Sequence, residues 1–188
     1  RTHGEDSRLT REPDSFIYGG TMGRLSLGVL VLTLGCGDKD TECSVGDIGG
    51  RPAAAQIDGG DWLATDGNWR DSGAAVNINL NSSDSRTINL VGKVDKDGTD
   101  VMAMIENDSF PIEIDLSDSD GYGSLMDRRN GLKGFTSNEE GGGGSLILVD
   151  VDGDTLSACF EFDGISPEGD ERVEVSEGKL KIDLVVVE

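Results

Sequence analysis

Apolar and polar residues alternate one by one over much of the chain after Ile57. The clearest runs cover residues 76–80, 88–90, 112–116 and 180–186. A period of two places successive side chains on opposite faces of a strand, so these runs predict half-buried β-strands. Weaker runs at 101–106, 145–151, 155–163 and 172–175 bring the expected total to about nine or ten strands.

No segment of the chain sustains the 3.6-residue period of an amphipathic helix. Because there are no helices to carry parallel crossovers, the strands are expected to pair antiparallel. The sequence therefore predicts an all-β fold, an antiparallel β-sandwich, with a lipocalin-like barrel as the alternative. Asp97-Gly98 and Asp152-Gly153 are predicted hairpin turns, since glycine accepts positive φ. Residues 117–144 are predicted to form a long loop.

An apolar run precedes this β-rich region. Residues 25–34 are apolar apart from Ser26 and Thr33, and they follow Arg24. Ten residues are too few for a membrane-spanning helix, which needs about 20, whereas this layout is typical of a secretory signal. The ending Leu-Gly-Cys-Gly around Cys36 resembles the lipobox of bacterial lipoproteins. That resemblance implies lipidation of Cys36, which becomes the new amino terminus.

These features divide the chain into four predicted parts. Residues 1–21 precede Met22 and lack any pattern, so they are interpreted as an over-extended start or a cloning remnant. Residues 22–35 are the predicted signal peptide, 36–56 a flexible tether and 57–188 the all-β domain. The expected location is the cell envelope, anchored by lipid to the outer membrane on its periplasmic or outer side. A secreted soluble protein is the alternative.

Charge and histidine content exclude several functions. The chain has 37 acidic and 16 basic residues and a net charge of −21, which would repel a phosphate backbone, so nucleic acid is excluded as a partner. The one histidine, His3, lies before Met22. The mature protein therefore lacks the imidazole that Ser-His or Cys-His catalysis and His-ligated metal sites require.

Three cysteines suggest one cross-link. With Cys36 lipidated, Cys43 and Cys159 remain, in a compartment where disulfides persist. On the strand predicted at 155–163, Cys159 points away from the apolar face, where the tether could reach it. The sequence therefore predicts a Cys43–Cys159 disulfide.

Two acidic segments offer a weak calcium site; otherwise no cofactor is expected. Their carboxylates alternate with other residues, and a glutamate follows at position twelve, as in an EF-hand loop. Position six is not glycine in either segment, so simple turns are the competing interpretation. The candidate ligands are Asp95, Asp97 and Asp100 in the first segment and Asp150, Asp152 and Asp154 in the second.

A basic cluster in the predicted loop is the candidate ligand site. Arg128, Arg129 and Lys133 lie there near Tyr122 and Phe135, in an otherwise acidic chain. They would accept an anionic ligand, or else pair with neighbouring acids. Trp69, Tyr122 and Phe135 are candidate stacking surfaces for a sugar or peptide.

The carboxyl-terminal half carries a family resemblance. Ser157-Ala-Cys-Phe-Glu-Phe162 followed by Val173-Glu-Val-Ser-Glu-Gly-Lys-Leu180 resembles the end of β-rich domains of unknown function in bacterial surface lipoproteins. The resemblance implies a lipid-anchored β domain without assigned catalytic residues. We therefore expect a non-enzymatic binding or structural module, with a protein or polysaccharide as ligand. The alternatives are a carbohydrate-active hydrolase using a carboxylate pair and a calcium-stabilised adhesion module.

Overall fold

The computed structural model describes residues 43–185. Residues 1–42 and 186–188 lie outside the described part, and with them the predicted start, the signal peptide and Cys36. Within 43–185 the chain forms eleven strands and one short helix. In chain order they are β1 (Ala53–Ile57), β2 (Gly60–Leu63), β3 (Asp66–Asp71), β4 (Val76–Asn81), β5 (Arg86–Gly92), α1 (Val101–Glu106), β6 (Ile112–Asp115), β7 (Gly121–Asp127), β8 (Lys133–Thr136), β9 (Gly143–Asp152), β10 (Thr155–Ile165) and β11 (Arg172–Asp183).

All the strands belong to one antiparallel sheet, which confirms the all-β prediction. The main order is β2-β1-β11-β10-β8-β7-β5-β4-β3, and β9 and β6 branch from β10. The sheet curls into a half-barrel, so that β3 meets the end of β11. There Trp69 bridges to Leu184, and the amide of Val185 donates to the carbonyl of Trp69 at 2.9 Å.

The core fills the concave side of the curl. Alternate residues of each strand point inward, as the period of two predicts, and they form one cluster that includes Trp62, Leu80, Leu90, Leu148 and Phe160. Two walls of the sheet approach closely at Gly123 in β7. A Cβ atom there would lie 2.7 Å from the ring of Phe162 in β10, so only glycine fits without displacement.

Three sequence predictions about elements are wrong. Residues 101–106 form α1 rather than a strand, because Oδ1 of Asp100 accepts the amide of Ala103 at 2.9 Å and caps a helical turn. Six residues are too few to separate a strand from a helix by periodicity. The turn at Asp97-Gly98 closes an antiparallel bridge between Val94 and Asp100 and then leads into α1, and Asp152-Gly153 joins β9 to β10 as predicted.

The predicted loop over 117–144 is largely strand. It contains β7, β8 and the first residues of β9. The inward positions of β7 include Gly121 and Gly123, where Ile114 and Phe162 leave no room for a side chain, so the usual apolar alternation is missing from the sequence. Position by position, β7 still alternates between buried and half-buried residues.

The predicted tether is also too long. Ala53–Ile57 pairs with both β2 and β11, so the sheet begins four residues before the predicted boundary. Ala53 and Ala55 are buried, yet alanine favours strands weakly, and the run Ala-Ala-Ala-Gln therefore resembles a linker.

Candidate functional site

A disulfide joins Cys43 to Cys159, the pair expected from the sequence. The two Cα atoms are 5.8 Å apart. Cys159 lies on the outer face of β10, because its neighbours Ala158 and Phe160 point into the core. A cavity of about 190 Å³ beside the bridge is lined partly by Ser44, Ile147 and Lys179. The disulfide therefore fixes the segment before β1 to the outside of the sheet.

The segment between Cys43 and β1 is held at a second point. The amide of Lys181 in β11 donates to the carbonyl of Pro52 at 2.9 Å. Residues 45–48 and 50–52 line a cavity of about 700 Å³ together with Gly67 and residues 181–183. From Cys43 onward, the predicted flexible tether is thus attached to the domain at both of its ends.

The outer surface near the disulfide is strongly charged. We call the charged face the nine outward residues of β9, β10 and β11 whose backbones are paired in three rows. They are Ile147, Asp150, Asp152, Thr155, Ser157, Cys159, Lys179, Lys181 and Asp183. Asp150, Asp152, Lys179, Lys181 and Asp183 are charged, so charge occupies most of this face.

The outer surface of β4, β5 and β7 is different. We call the amide face the nine outward residues of these strands, which also pair in three rows. The rows are Asn77–Val91–Tyr122, Asn79–Asn89–Ser124 and Asn81–Thr87–Met126. None of the nine is charged, and all are half-exposed. The asparagines appear in the sequence as the polar positions of β4 and β5, but their lateral alignment depends on register, which the sequence analysis did not predict.

Side-chain hydrogen bonds connect four residues of the amide face. The hydroxyl of Thr87 donates to Oδ1 of Asn81 at 3.0 Å, and Nδ2 of Asn81 donates to Oδ1 of Asn79 at 2.7 Å. Nδ2 of Asn79 in turn donates to Oδ1 of Asn89. This chain of bonds fixes the orientation of all three amide groups.

A pocket lies where β7, β8 and the start of β11 meet. It has a volume of about 370 Å³, and Arg129, Lys133 and Phe135 contribute to its wall. The pocket also contains Asp127 and Glu171. Three of the five predicted ligand residues are therefore brought together, while Tyr122 and Arg128 do not line this pocket.

The cations of this pocket already pair with acids. Nη2 of Arg129 lies 2.6 Å from Asp127, and Nζ of Lys133 lies 2.6 Å from Glu171. Hydrogen bonds from Arg129 lower the pKa of Asp127, and the bond to Glu171 raises the pKa of Lys133. An anionic ligand would have to displace these carboxylates. The geometry thus favours the interpretation of Arg129 and Lys133 as members of ion pairs.

Two of the three predicted stacking residues are buried. Trp69 is 4% exposed and Phe135 is 9% exposed, and both belong to the core. Nε1 of Trp69 donates to the carbonyl of Asp154 at 3.0 Å, which helps hold β3 against the β9–β10 turn. Tyr122 remains half-exposed on the amide face.

Two of the six carboxylates considered for calcium accept backbone amides. Oδ1 of Asp95 accepts the amides of Asp97 and Thr99, and Asp100 caps α1. Asp150 and Asp152 lie on β9, and Asp154 lies in the turn after them. Within residues 43–185, no three acidic, cysteine or histidine side chains are grouped so that they could hold a metal ion.

Two described carboxyl groups have a shifted pKa, and both shifts are downward. Partial burial acts to raise the pKa of Asp84, but hydrogen bonds from Arg86 and Ser82 outweigh it. The pKa of Asp127 is lowered by Arg129. A glycosidase acid requires the opposite shift, so neither residue has the properties of a general acid.

The remaining observations concern membranes and relatives. Among residues 43–185, no helix is long and apolar enough to cross a membrane. No protein-family model, curated protein or solved structure matches this chain.

Proposed function

We propose that the protein is a non-enzymatic binding module of the cell envelope, attached to the outer membrane through lipid on Cys36. The Cys43–Cys159 disulfide is the observation that carries the proposal. Such bonds persist in oxidising compartments and are rare in the cytosol, so a structural disulfide supports export. The apolar run at 25–34 before Cys36 supplies a matching export signal.

The disulfide also limits how far the domain can extend from the membrane. Cys43 is the seventh residue after Cys36, and a fully extended chain spans at most about 3.6 Å per residue. The distance between the Cα atoms of Cys36 and Cys43 is therefore no longer than about 25 Å. A lipid on Cys36 would keep the charged face, which contains Cys159, near the membrane, and a ligand would then bind elsewhere on the domain, for which the amide face on β4, β5 and β7 is our candidate.

Binding is favoured over catalysis because the cations around the pocket and two of the turn carboxylates are engaged in structural contacts. Arg129, Lys133 and Arg172 pair with acids, and Asp95 and Asp100 accept backbone amides. Reproducible hydrolysis of a glycan that is lost on substitution of one carboxylate would contradict this part of the proposal.

Membrane fractionation tests the anchor. The full-length chain is expected in the membrane fraction, with Cys43 and Cys159 protected from thiol reagents after denaturation without reductant. Cys36→Ser is expected to shift the protein into the soluble fraction while the disulfide stays intact. Ser44→Ala, beside the disulfide, is the matched control and should remain with the membrane. Recovery of the unmodified chain in the cytosol with both thiols reactive would contradict the proposal.

A further inference from the structure

We infer that the amide face binds a neutral polysaccharide chain. The inference deepens the proposed function by naming its ligand, and it rests on the binding part of that function rather than on the lipid anchor. The first reason is the absence of charge from the amide face. At the 28% of charged residues found in the whole chain, two or three of nine positions would be charged, and these nine have none; charge returns on the neighbouring strand β3, where Asp66 and Arg70 continue two of the rows.

The polar groups of this face are suited to neutral hydroxyl-bearing ligands. A carboxamide offers two donor hydrogens and an acceptor oxygen, and a sugar hydroxyl can both donate and accept. Burying these groups against hydroxyls costs less than burying a charged side chain, because no ion has to leave water. An acidic polymer is disfavoured by the net charge of −21.

The amide groups are also oriented before any ligand arrives. The bonds from Thr87 through Asn81 and Asn79 to Asn89 leave each amide with defined outward directions for its remaining bonds. Less conformational freedom is then lost on binding than for four independent side chains. Asn89 occupies the centre of the three rows, and its Nδ2 has no acceptor among residues 43–185.

Apolar side chains complete the surface. Tyr122 lies at the end of one row next to Val91, and Met126 lies at the end of another. The ring of a half-exposed tyrosine offers an apolar surface for the C–H groups of a sugar and a hydroxyl for its polar edge. Strand spacings of about 4.8 Å and rises of about 3.4 Å per residue give the grid a size of roughly 10 by 14 Å. We therefore expect oligosaccharides to bind more tightly than monosaccharides.

Titration with defined sugars tests the inference. The full-length chain, purified in detergent with its disulfide intact, is titrated with neutral hexasaccharides of glucose, mannose, xylose and N-acetylglucosamine, and with an acidic hexasaccharide of galacturonic acid. We expect saturable binding of at least one neutral hexasaccharide, at least tenfold tighter than its monosaccharide and than the acidic one. If none of the neutral hexasaccharides binds saturably, the inference is overturned.

Isosteric variants locate the binding surface. Asn89→Asp keeps the acceptor used by Asn79 and adds one negative charge, and we expect it to weaken binding at least tenfold. Asn130→Asp makes the same chemical change in the pocket lined by Arg129 and Lys133, where Asn130 has no side-chain hydrogen bond within 43–185. It should leave the affinity unchanged. The reverse pattern would place the ligand in that pocket and overturn the inference.

The ring of Tyr122 and the oligomeric state of the protein are tested separately. Tyr122→Phe should retain binding and Tyr122→Leu should weaken it, with equal thermal midpoints confirming that both variants fold.

Sedimentation should show a monomer at all concentrations; a dimer that Asn89→Asp dissociates would mean that a second copy covers the amide face, and would overturn the inference. Cys36→Ser should leave every titration unchanged, so failure of the anchor and failure of sugar binding are separate results.

Discussion

The amide face and the charged face belong to the same curled sheet but differ in what their outward positions contain. Each consists of nine residues aligned in three rows across three strands. Most positions of the charged face are ionised, and it is cross-linked to the segment before β1. The amide face contains no charge and is covered by asparagine, serine and threonine with a few apolar side chains.

This difference shows that the charged side chains of the protein are unevenly distributed over the outer surface of the sheet. Inward residues of both regions are the same kind of aliphatic and aromatic side chain, since both cover one core. Solubility requires charge somewhere on the surface, but it does not require that one face be spared. The spared face is therefore the part of the surface whose composition the fold does not explain, and binding supplies a reason for it.

The largest expected effect comes from cutting the cross-link on the charged face. Replacing both cysteines, Cys43→Ser with Cys159→Ser, opens a loop with a sequence separation of 116 residues. The chain-entropy model gives a loss of about 5 kcal/mol in the free energy of unfolding. Urea unfolding with and without reductant measures it. An unchanged midpoint would show that the bridge does not constrain the unfolded chain.

A smaller effect is expected where the two walls meet. Gly123→Ala places a Cβ atom 2.7 Å from the ring of Phe162, and we expect a loss of about 1–3 kcal/mol. Gly134→Ala on the neighbouring strand β8 is the control, because no atom lies within 4 Å of its added Cβ. Thermal unfolding of both variants compares them. Equal midpoints would contradict the close approach of β7 and β10.

Acid should weaken the ion pair between Asp127 and Arg129 in the pocket where β7, β8 and β11 meet. Because Arg129 lowers the pKa of Asp127 in the folded protein, this pair adds stability above the unfolded pKa of about 3.8, which is lost as the pH falls through the lower folded pKa. Asp127→Asn should cost about 1 kcal/mol at pH 7 and less at pH 2. Asp61→Asn, which has no ion pair within 43–185, should cost nothing at either pH. Urea unfolding at several pH values measures the difference, and a constant cost for Asp127→Asn would contradict it.

Single charge changes should give the smallest effects, opposite in sign on the two faces. Asp152→Asn removes one acid from the charged face, two residues from Asp150 and across Thr155 from Asp183, and it should raise stability by up to about 0.5 kcal/mol. Asn89→Asp should lower stability by a similar amount. Both differences should shrink at high salt, because screening reduces repulsion between exposed charges. Melting curves at low and high salt would detect the two stability changes. Changes of the same sign in both variants would contradict the difference between the two faces.

Much of the fold could be predicted from the period of two, which located the strands around Val76, Ile112 and Leu180. The prediction failed where close packing or burial, rather than strand alternation, determined which residue type occurs. Close packing against Phe162 demands glycine at 123, which removed the apolar signal of β7. Burial of Ala53 and Ala55 under neighbouring strands allowed small residues that resemble a linker.

The candidate site was less predictable than the fold. The disulfide followed from counting cysteines and from the alternation around Cys159. Ion pairing of Lys133 with Glu171 joins residues 38 positions apart, and the rows of the amide face depend on which residues lie opposite one another in three strands. Such lateral neighbours are set by register and by the curl of the whole sheet.

The separation of roles between the two faces is tested most directly by backbone amide chemical shifts. The full-length, ¹⁵N-labelled protein is titrated with the neutral hexasaccharide that binds best. We predict shifts concentrated in residues 76–81, 87–91 and 122–126, with little change around Cys159 or in 127–133. Shifts confined to the charged face or to the pocket at 127–133 and 171–173 would contradict the account.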